Sequence, residues 1–285
     1  MTVRNESPKE IGGYKLGEML GRGGGGRVHR AMDSRDQRAV VLKFCAVSGA
    51  IDEQRFLREA ALLKRVSSPH LSRCLDAGRS GNWLWMAMED LSAETLAARV
   101  DRWRPRPADS LIVQWLAQLL LGLKALHAVR VVHRDVKPDN LLIGADGLLR
   151  VSDLGLAFQE DLEPLTGSHA VVGSPEWYPP EVLTGSRADH RGDIYQWALV
   201  AYWLANGALP FADVSPLTAS SKRCFDPIPP LASVAPGTPP LLSDLVERNL
   251  LPDPEHRHRD AGELLADLLL CWPENRGPVS PALAA

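Results

Sequence analysis

Between Tyr14 and about Met88, short apolar runs alternate with polar turns. Arg27 to Ala31, the polar turn Asp33-Ser34-Arg35-Asp36-Gln37 and the run Ala39 to Phe44 predict two strands joined by a hairpin, and the strand pattern returns over Asn82 to Met88. One helix interrupts this sheet. In IDEQRFLREAALLKRV the residues Phe56, Ala60 and Leu63 follow i, i+4, i+7 spacing, and Glu59 falls on the same apolar stripe, which aims a carboxylate inward.

EDLSAETLAARV then opens a region dominated by helices. Leu111, Trp115, Leu119, Leu120 and Leu123 recur at helical spacing. DIYQWALVAYWLANG is apolar nearly all round, starts at Asp193 as its expected cap and ends at Gly207, so it requires central burial. Trp115 and Trp197 are read as core. LLIGADGLLRVSD predicts a hairpin with Asp146-Gly147 at its turn, while 209–240, rich in proline, predicts mostly irregular chain. No internal repeat is visible. The first eleven residues or so and the tail from about Glu274 read as frayed termini.

Composition narrows the partners. With 45% hydrophobic and 24% charged residues in 285, the chain has the make-up of a globular protein with a sizeable core. Thirty-two basic against 35 acidic residues give a net charge of −3, too balanced for a nucleic-acid footprint or for attraction to an anionic membrane. Cys45, Cys74, Cys224 and Cys271 are far apart in sequence, without metal-site pairs or disulfide density, so reduced thiols and a cytoplasmic location are expected. The apolar runs Leu111 to Leu123 and Trp197 to Ala205 are read as too short or too interrupted to span a bilayer, and MTVRNESPKE has no apolar signal region. His256 and His258 lack metal-ligand spacing and are read as solvated surface residues.

The chemistry lies in a series of short motifs. Leu20-Gly21-Arg22-Gly23-Gly24-Gly25-Gly26-Arg27-Val28 contains G-x-G-x-x-G, but a strand pattern follows it rather than the helix of a dinucleotide fold. The glycines therefore suit the tip of a hairpin whose backbone N–H groups approach phosphate oxygens, although a merely flexible turn would have the same sequence. Val40-Val41-Leu42-Lys43 puts an ammonium in an apolar strand, which demands a nearby carboxylate, and Glu59 is the candidate. His133-Arg134-Asp135-Val136-Lys137-Pro138-Asp139-Asn140 packs ionisable and amide groups into one loop, and Asp153-Leu154-Gly155 follows the hairpin.

Taken in this order, these motifs resemble the signatures of the eukaryotic-type serine/threonine protein kinase catalytic domain, and the Arg-heavy basic set and few insertions favour its bacterial members, over about residues 11 to 271. The resemblance implies an α+β, two-lobed fold: a small antiparallel β lobe with one helix, a larger mainly helical lobe, and ATP in the cleft between them. The implied division is a flexible N-terminus 1–12, a kinase domain 13–271 with its N-lobe at 13–88, hinge at 89–92 and C-lobe at 93–271, and a tail 272–285.

Carried over by position, the resemblance implies that Gly21, Gly23 and Gly26 cover the nucleotide phosphates and that Lys43, paired with Glu59, binds the α/β-phosphates. Val28, Val41 and Leu142 would sandwich the adenine, Leu20 would belong to the ATP site, Met88 would be the gatekeeper, and the Glu89 carbonyl and Leu91 N–H would read the adenine edge. Asp135 would take the substrate hydroxyl proton, Lys137 would face the γ-phosphate, and Asn140 and Asp153 would hold Mg²⁺ or Mn²⁺. His133 is expected to be structural. Glu181 would pair with Arg257, Ser174 would belong to the substrate loop, and Thr166 and Ser168 match paired phosphoacceptors, with Arg134 as counter-charge. Val41 for alanine, Leu154 for phenylalanine and Asp193-Ile194-Tyr195-Gln196 without the usual small residues depart from the family pattern. The expected reaction is phosphoryl transfer from ATP to Ser or Thr of protein substrates, with regulation through a partner protein, the cleft or the segment itself, and with neither nucleic acid nor membrane as partner. A nucleotide-binding pseudokinase and a small-molecule kinase are the alternatives; retention of all five of Lys43, Glu59, Asp135, Asn140 and Asp153 weighs against the first, and the segment ending at Glu181 against the second.

Overall fold

Ordered pairing begins earlier than the expected frayed terminus allows. In the computed structural model, which describes residues 8–23, 26–47, 50–102, 107–153, 174–186 and 189–271, strand β1 (Glu10–Ile11) turns through Gly12 and Gly13 at φ 59° and 85° and pairs with β2 (Tyr14–Gly23). Two successive left-handed residues make this tight reversal, which glycine adopts without strain. It buries Ile11 and Tyr14 to 1% exposure each, so the apolar Ile11 anchors the terminus.

The chain continues through β3 (Gly26–Asp33), β4 (Ala39–Ala46), α1 (Ala50–Leu63), β5 (Cys74–Ser80) and β6 (Trp83–Glu89). The six strands form one sheet in the order β1-β2-β3-β4-β6-β5, with every neighbouring pair antiparallel. Its core gathers Ile11, Tyr14, Val40, Leu42, Phe44, Trp85 and Ala87, residues whose strand alternation puts them on one face. Helix α1 buries Phe56, Ala60 and Leu63, as the i, i+4, i+7 pattern requires.

The chain divides into two compact units, Met1–Val66 with Ser72–Leu91, and Ser67–Leu71 with Ser92–Ala285. The short excursion 67–71 was not visible in the sequence pattern. It is tied into the second unit by His70, whose Nδ1 lies 3.1 Å from the Leu149 carbonyl, and by a parallel bridge from Leu71 to Val151.

That unit contains β7 (Glu94–Thr95), α2 (Leu96–Asp101), α3 (Asp109–Ala128), β8 (Leu141–Ile143), β9 (Leu149–Val151), α4 (Pro180–Leu183), α5 (His190–Asn206), α6 (Pro216–Phe225), α7 (Leu231–Val234), α8 (Pro240–Asn249) and α9 (Ala261–Leu269). Strands β7, β8 and β9 make a second antiparallel sheet, with the Asp146-Gly147 turn between the last two and Gly147 at φ 76°. An antiparallel sheet with one helix and a mainly helical unit together constitute the expected α+β class.

Three expectations are corrected. Helix α3 is, by length and composition, long and apolar enough to cross a membrane, with mean hydropathy 1.4; 61% of that stretch is buried within the protein, which accounts for its apolarity. Asp189, not Asp193, caps α5: its carboxylate accepts from the Arg191 N–H at 2.7 Å, and Asp193 sits inside the first turn. The far end is as expected, with Gly207 left-handed at φ 79°. Residues 209–240 include α6 and α7, because Pro216 occupies the start of α6, where no N–H is needed, and Ser215 caps it by accepting from Thr218 N–H.

Candidate active site

The loop from His133 to Asn140 lacks regular hydrogen bonding until its last three residues, so its backbone groups need partners elsewhere. Helix α5 supplies them from inside the unit. Asp193, fully buried, accepts the His133 N–H at Oδ2 and the Arg134 N–H at Oδ1, both at 2.8 Å. One turn on, Gln196 accepts the Val136 N–H at 3.0 Å and donates to the Arg134 and Trp177 carbonyls at 3.1 Å each. Burial works against a charged Asp193, but the hydrogen bond from His127 and the neighbouring imidazoles outweigh it and hold the carboxyl below its usual range. His133 is buried as well, its Nε2 lying 2.9 Å from the Ser152 carbonyl, which fits a structural part.

Held this way, the loop presents three side chains together. The Lys137 ammonium donates to both oxygens of Asp135 and, at 3.1 Å, to Ser174 Oγ. Asn140 Nδ2 donates to the Asp135 carbonyl at 2.7 Å and to its Oδ2 at 2.8 Å. This fixes the Asn140 amide, so that its Oδ1 points away from Asp135. Ser152 clamps Asn140 to β9 through its N–H and hydroxyl, both bonded to the Asn140 carbonyl at 2.8 and 2.9 Å, and Asp153 follows directly. Arg134 and Asp153 adopt left-handed backbone, φ 67° and 59°, a strained conformation for residues with a Cβ that tends to occur at functional sites. Tyr178, near Asp135, has its hydroxyl pKa pushed up to about 12, by burial first and then by the Asp135 and Glu176 carboxylates.

An amide oxygen and a carboxylate are hard donors suited to a divalent cation such as Mg²⁺. Among the described residues no group of three or more His, Cys, Asp or Glu could hold a metal, and Asn140 and Asp153 are of the donor type that would share a cation with nucleotide phosphates and water.

The remaining nucleotide-binding candidates lie in the first unit, apart from Leu142 on β8. The Gly23–Gly26 pair closes the β2–β3 hairpin, and Gly26, at φ 119°, has no room for a Cβ against the Phe44 carbonyl. Gly21 and the 45% exposed Leu20 lie on β2, and Val28 on β3 stands opposite Lys43 on β4. Lys43 is 5% exposed; Val41 stands opposite Met88, which is buried at 6%. Glu89 ends β6, Leu91 follows it, and both are half-buried. Glu59 is on α1, but its side chain lies outside the described residues, as do Leu154, Gly155, Thr166 and Ser168.

Glu181 and Arg257 meet as expected. The guanidinium binds the carboxylate through two bonds of 3.0 and 2.8 Å, with side-chain exposures of 0% and 9% for Arg257 and Glu181. Arg257 also donates to the carbonyls of Leu251, Pro252 and Arg191 and lies 4.8 Å from the Tyr195 ring centroid. His258 is a correction: it is fully buried rather than solvated, with its backbone N–H and Nδ1 each 3.0 Å from Asn249 Oδ1. His256, by contrast, has a 70% exposed side chain. Sequence reasoning also missed Gln196, Ser220 and Arg223 as groups that hold the loop segments, although polar residues on otherwise buried helix positions were the available signal.

The chain matches the family described as "Protein kinase domain" over residues 14–283. It is 32% identical to the serine/threonine-protein kinase PknL of Mycobacterium tuberculosis over 273 residues, 93% of this chain and 68% of that one. It is also 32% identical to PknA of the same species over 282 residues, covering 95% and 64%, and to PknD over 260 residues, covering 90% and 39%. The chain thus spans from about two fifths to two thirds of these relatives. An aspartate-lysine-asparagine loop suspended from a buried helix, in a chain matched to that family along almost its whole length, shows that the chain belongs to the protein kinase domain family.

Proposed function

We propose that this chain is an ATP-dependent serine/threonine protein kinase that transfers the γ-phosphoryl group to protein hydroxyls. The single observation that carries the reading is the convergence of Lys137 on Asp135 and Ser174. It sets a candidate base, a cation for phosphate and the substrate loop within one side chain's reach.

Among the described residues Asp135 Oδ2 accepts from both Lys137 and Asn140, whereas Oδ1 accepts from Lys137 alone. Oδ1 is therefore the oxygen that takes the hydrogen of an incoming Ser or Thr hydroxyl and orients its lone pair toward phosphorus. Lys137 balances negative charge beside it. Lys43 and the Gly21–Gly26 hairpin belong to nucleotide binding in this reading, which the family supports by position. Asn140 Oδ1 and Asp153 would hold the divalent cation, which when bound neutralises charge on the phosphates.

Regulation by phosphorylation at Thr166 or Ser168 belongs to the same proposal. Its support is their spacing from Glu181 and the absence, among the described residues, of any carboxylate within ion-pair distance of Arg134. The four cysteines are free, which supports a reducing cytoplasmic location. Purified chain, labelled ATP, Mg²⁺ and a general protein acceptor test the reaction: label on acceptor Ser or Thr is expected, and nucleotide binding without transfer would favour the pseudokinase reading.

A further inference from the structure

Three successive carbonyls in the segment after Ser174 each accept a hydrogen bond from a buried side chain. Ser220 Oγ donates to Pro175, Arg223 Nη2 to Glu176, and Gln196 Nε2 to Trp177. The three donors are each 1% exposed. Ser220 and Arg223 share one face of α6 and are joined to each other at 2.8 Å, while Arg223 Nη1 reaches the Pro210 carbonyl at 3.4 Å.

Arg223 has an unusual environment for a buried cation. Among the described residues no carboxylate lies within ion-pair distance, and its Nε has no hydrogen-bond partner. Among the described residues its charge is met by the Glu176 and Pro210 carbonyls and by the Ser220 and Tyr195 hydroxyls. Burying a guanidinium on such terms is costly, and a shorter or single-headed side chain could not reach the Glu176 and Pro210 carbonyls together. We infer that Arg223, with Ser220, is a positioning residue for the substrate loop, acting through the Pro175 and Glu176 carbonyls. This rests on the kinase reading above, which assigns acceptor contact to the loop around Ser174. With the carbonyls pinned from α6 and Ser174 Oγ held by Lys137, the backbone that meets the residue after the acceptor hydroxyl has one orientation.

The test compares Arg223→Lys and Ser220→Ala with the unaltered chain in two measurements. In hydrogen exchange, the Trp177 and Tyr178 amides, which close the turn onto the Ser174 and Pro175 carbonyls, should exchange about tenfold faster in Arg223→Lys, with α3 amides unchanged. In steady-state transfer, the KM for a protein or peptide acceptor should rise about tenfold in Arg223→Lys and about threefold in Ser220→Ala, while the KM for ATP stays within about twofold. Unchanged exchange at Trp177 and Tyr178, or KM values for acceptor and ATP that rise together, would overturn the positioning role. Absence of transfer by the unaltered chain would instead refute the kinase reading, and the inference with it.

Discussion

Lys137 donates to both carboxylate oxygens of Asp135, at 3.1 and 2.8 Å. The contact fixes the rotamer of the aspartate and sets a cation beside the oxygen acceptor that a hydroxyl proton requires. Asp135→Asn keeps the size and much of the hydrogen bonding, but loses that acceptor. Phosphoryl transfer should fall by about 10²–10⁴-fold while nucleotide affinity changes little. Parallel measurement of transfer and of nucleotide binding decides this, and a variant with unreduced turnover would refute the assignment.

Glu181 and Arg257 form a bidentate pair almost out of water. Arg257→Ala would leave a carboxylate buried beside the emptied site, with a cost of about 3–5 kcal/mol. Urea unfolding should show a correspondingly lower midpoint. Glu181→Gln, which keeps one acceptor for the guanidinium, should cost less than Arg257→Ala; the reverse order would contradict the argument.

His258 gives the stability a pH dependence of known sign. Burial, first, lowers its folded pKa below the ordinary 6.5; the Arg248 cation adds to this, and the hydrogen bond to Asp267 and the Glu263 and Asp267 charges only partly oppose it. The unfolded chain then binds the proton more readily, so stability is lost as pH falls through 6.5 toward the folded pKa. Unfolding midpoints at about pH 7.5 and about pH 5.5 should differ less in His258→Gln than in the unaltered chain. Equal differences would remove His258 from the account.

Chelation provides a separate check. Among the described residues no group of three or more His, Cys, Asp or Glu could hold a metal, so in the proposed reading a cation at Asn140 and Asp153 would be shared with the nucleotide's phosphates. Excess chelator should abolish transfer, and added Mg²⁺ should restore it. Transfer that persists in chelator would separate these residues from metal binding.

The helix α1 stripe, the hairpins at Asp33–Gln37 and Asp146-Gly147, and the burial of Trp115 and Trp197 were legible because each follows from a local period or turn residue. So was the grouping of Asp135, Lys137 and Asn140, whose contacts are short-range in sequence. The partners of Asp193 and Gln196 lie some sixty positions away, and no local pattern encodes such a distance. Asp193 looked like a helix cap because a carboxylate four residues inside a helix satisfies the same composition rule as one at its start. His258 was misjudged for a related reason: a histidine between arginines reads as surface until Asn249 is brought beneath it.

Asp193 and Gln196 give the loop its shape from two points on the same rod, three positions apart on the helix. Inserting or deleting one residue between them would turn the second point by about 100° and shift it about 1.5 Å along the axis. The loop would keep its sequence and lose its mould. Transplanting the His133–Asn140 sequence into another scaffold would therefore carry over no geometry unless a buried Asp-x-x-Gln step of helix were transplanted at the same phase.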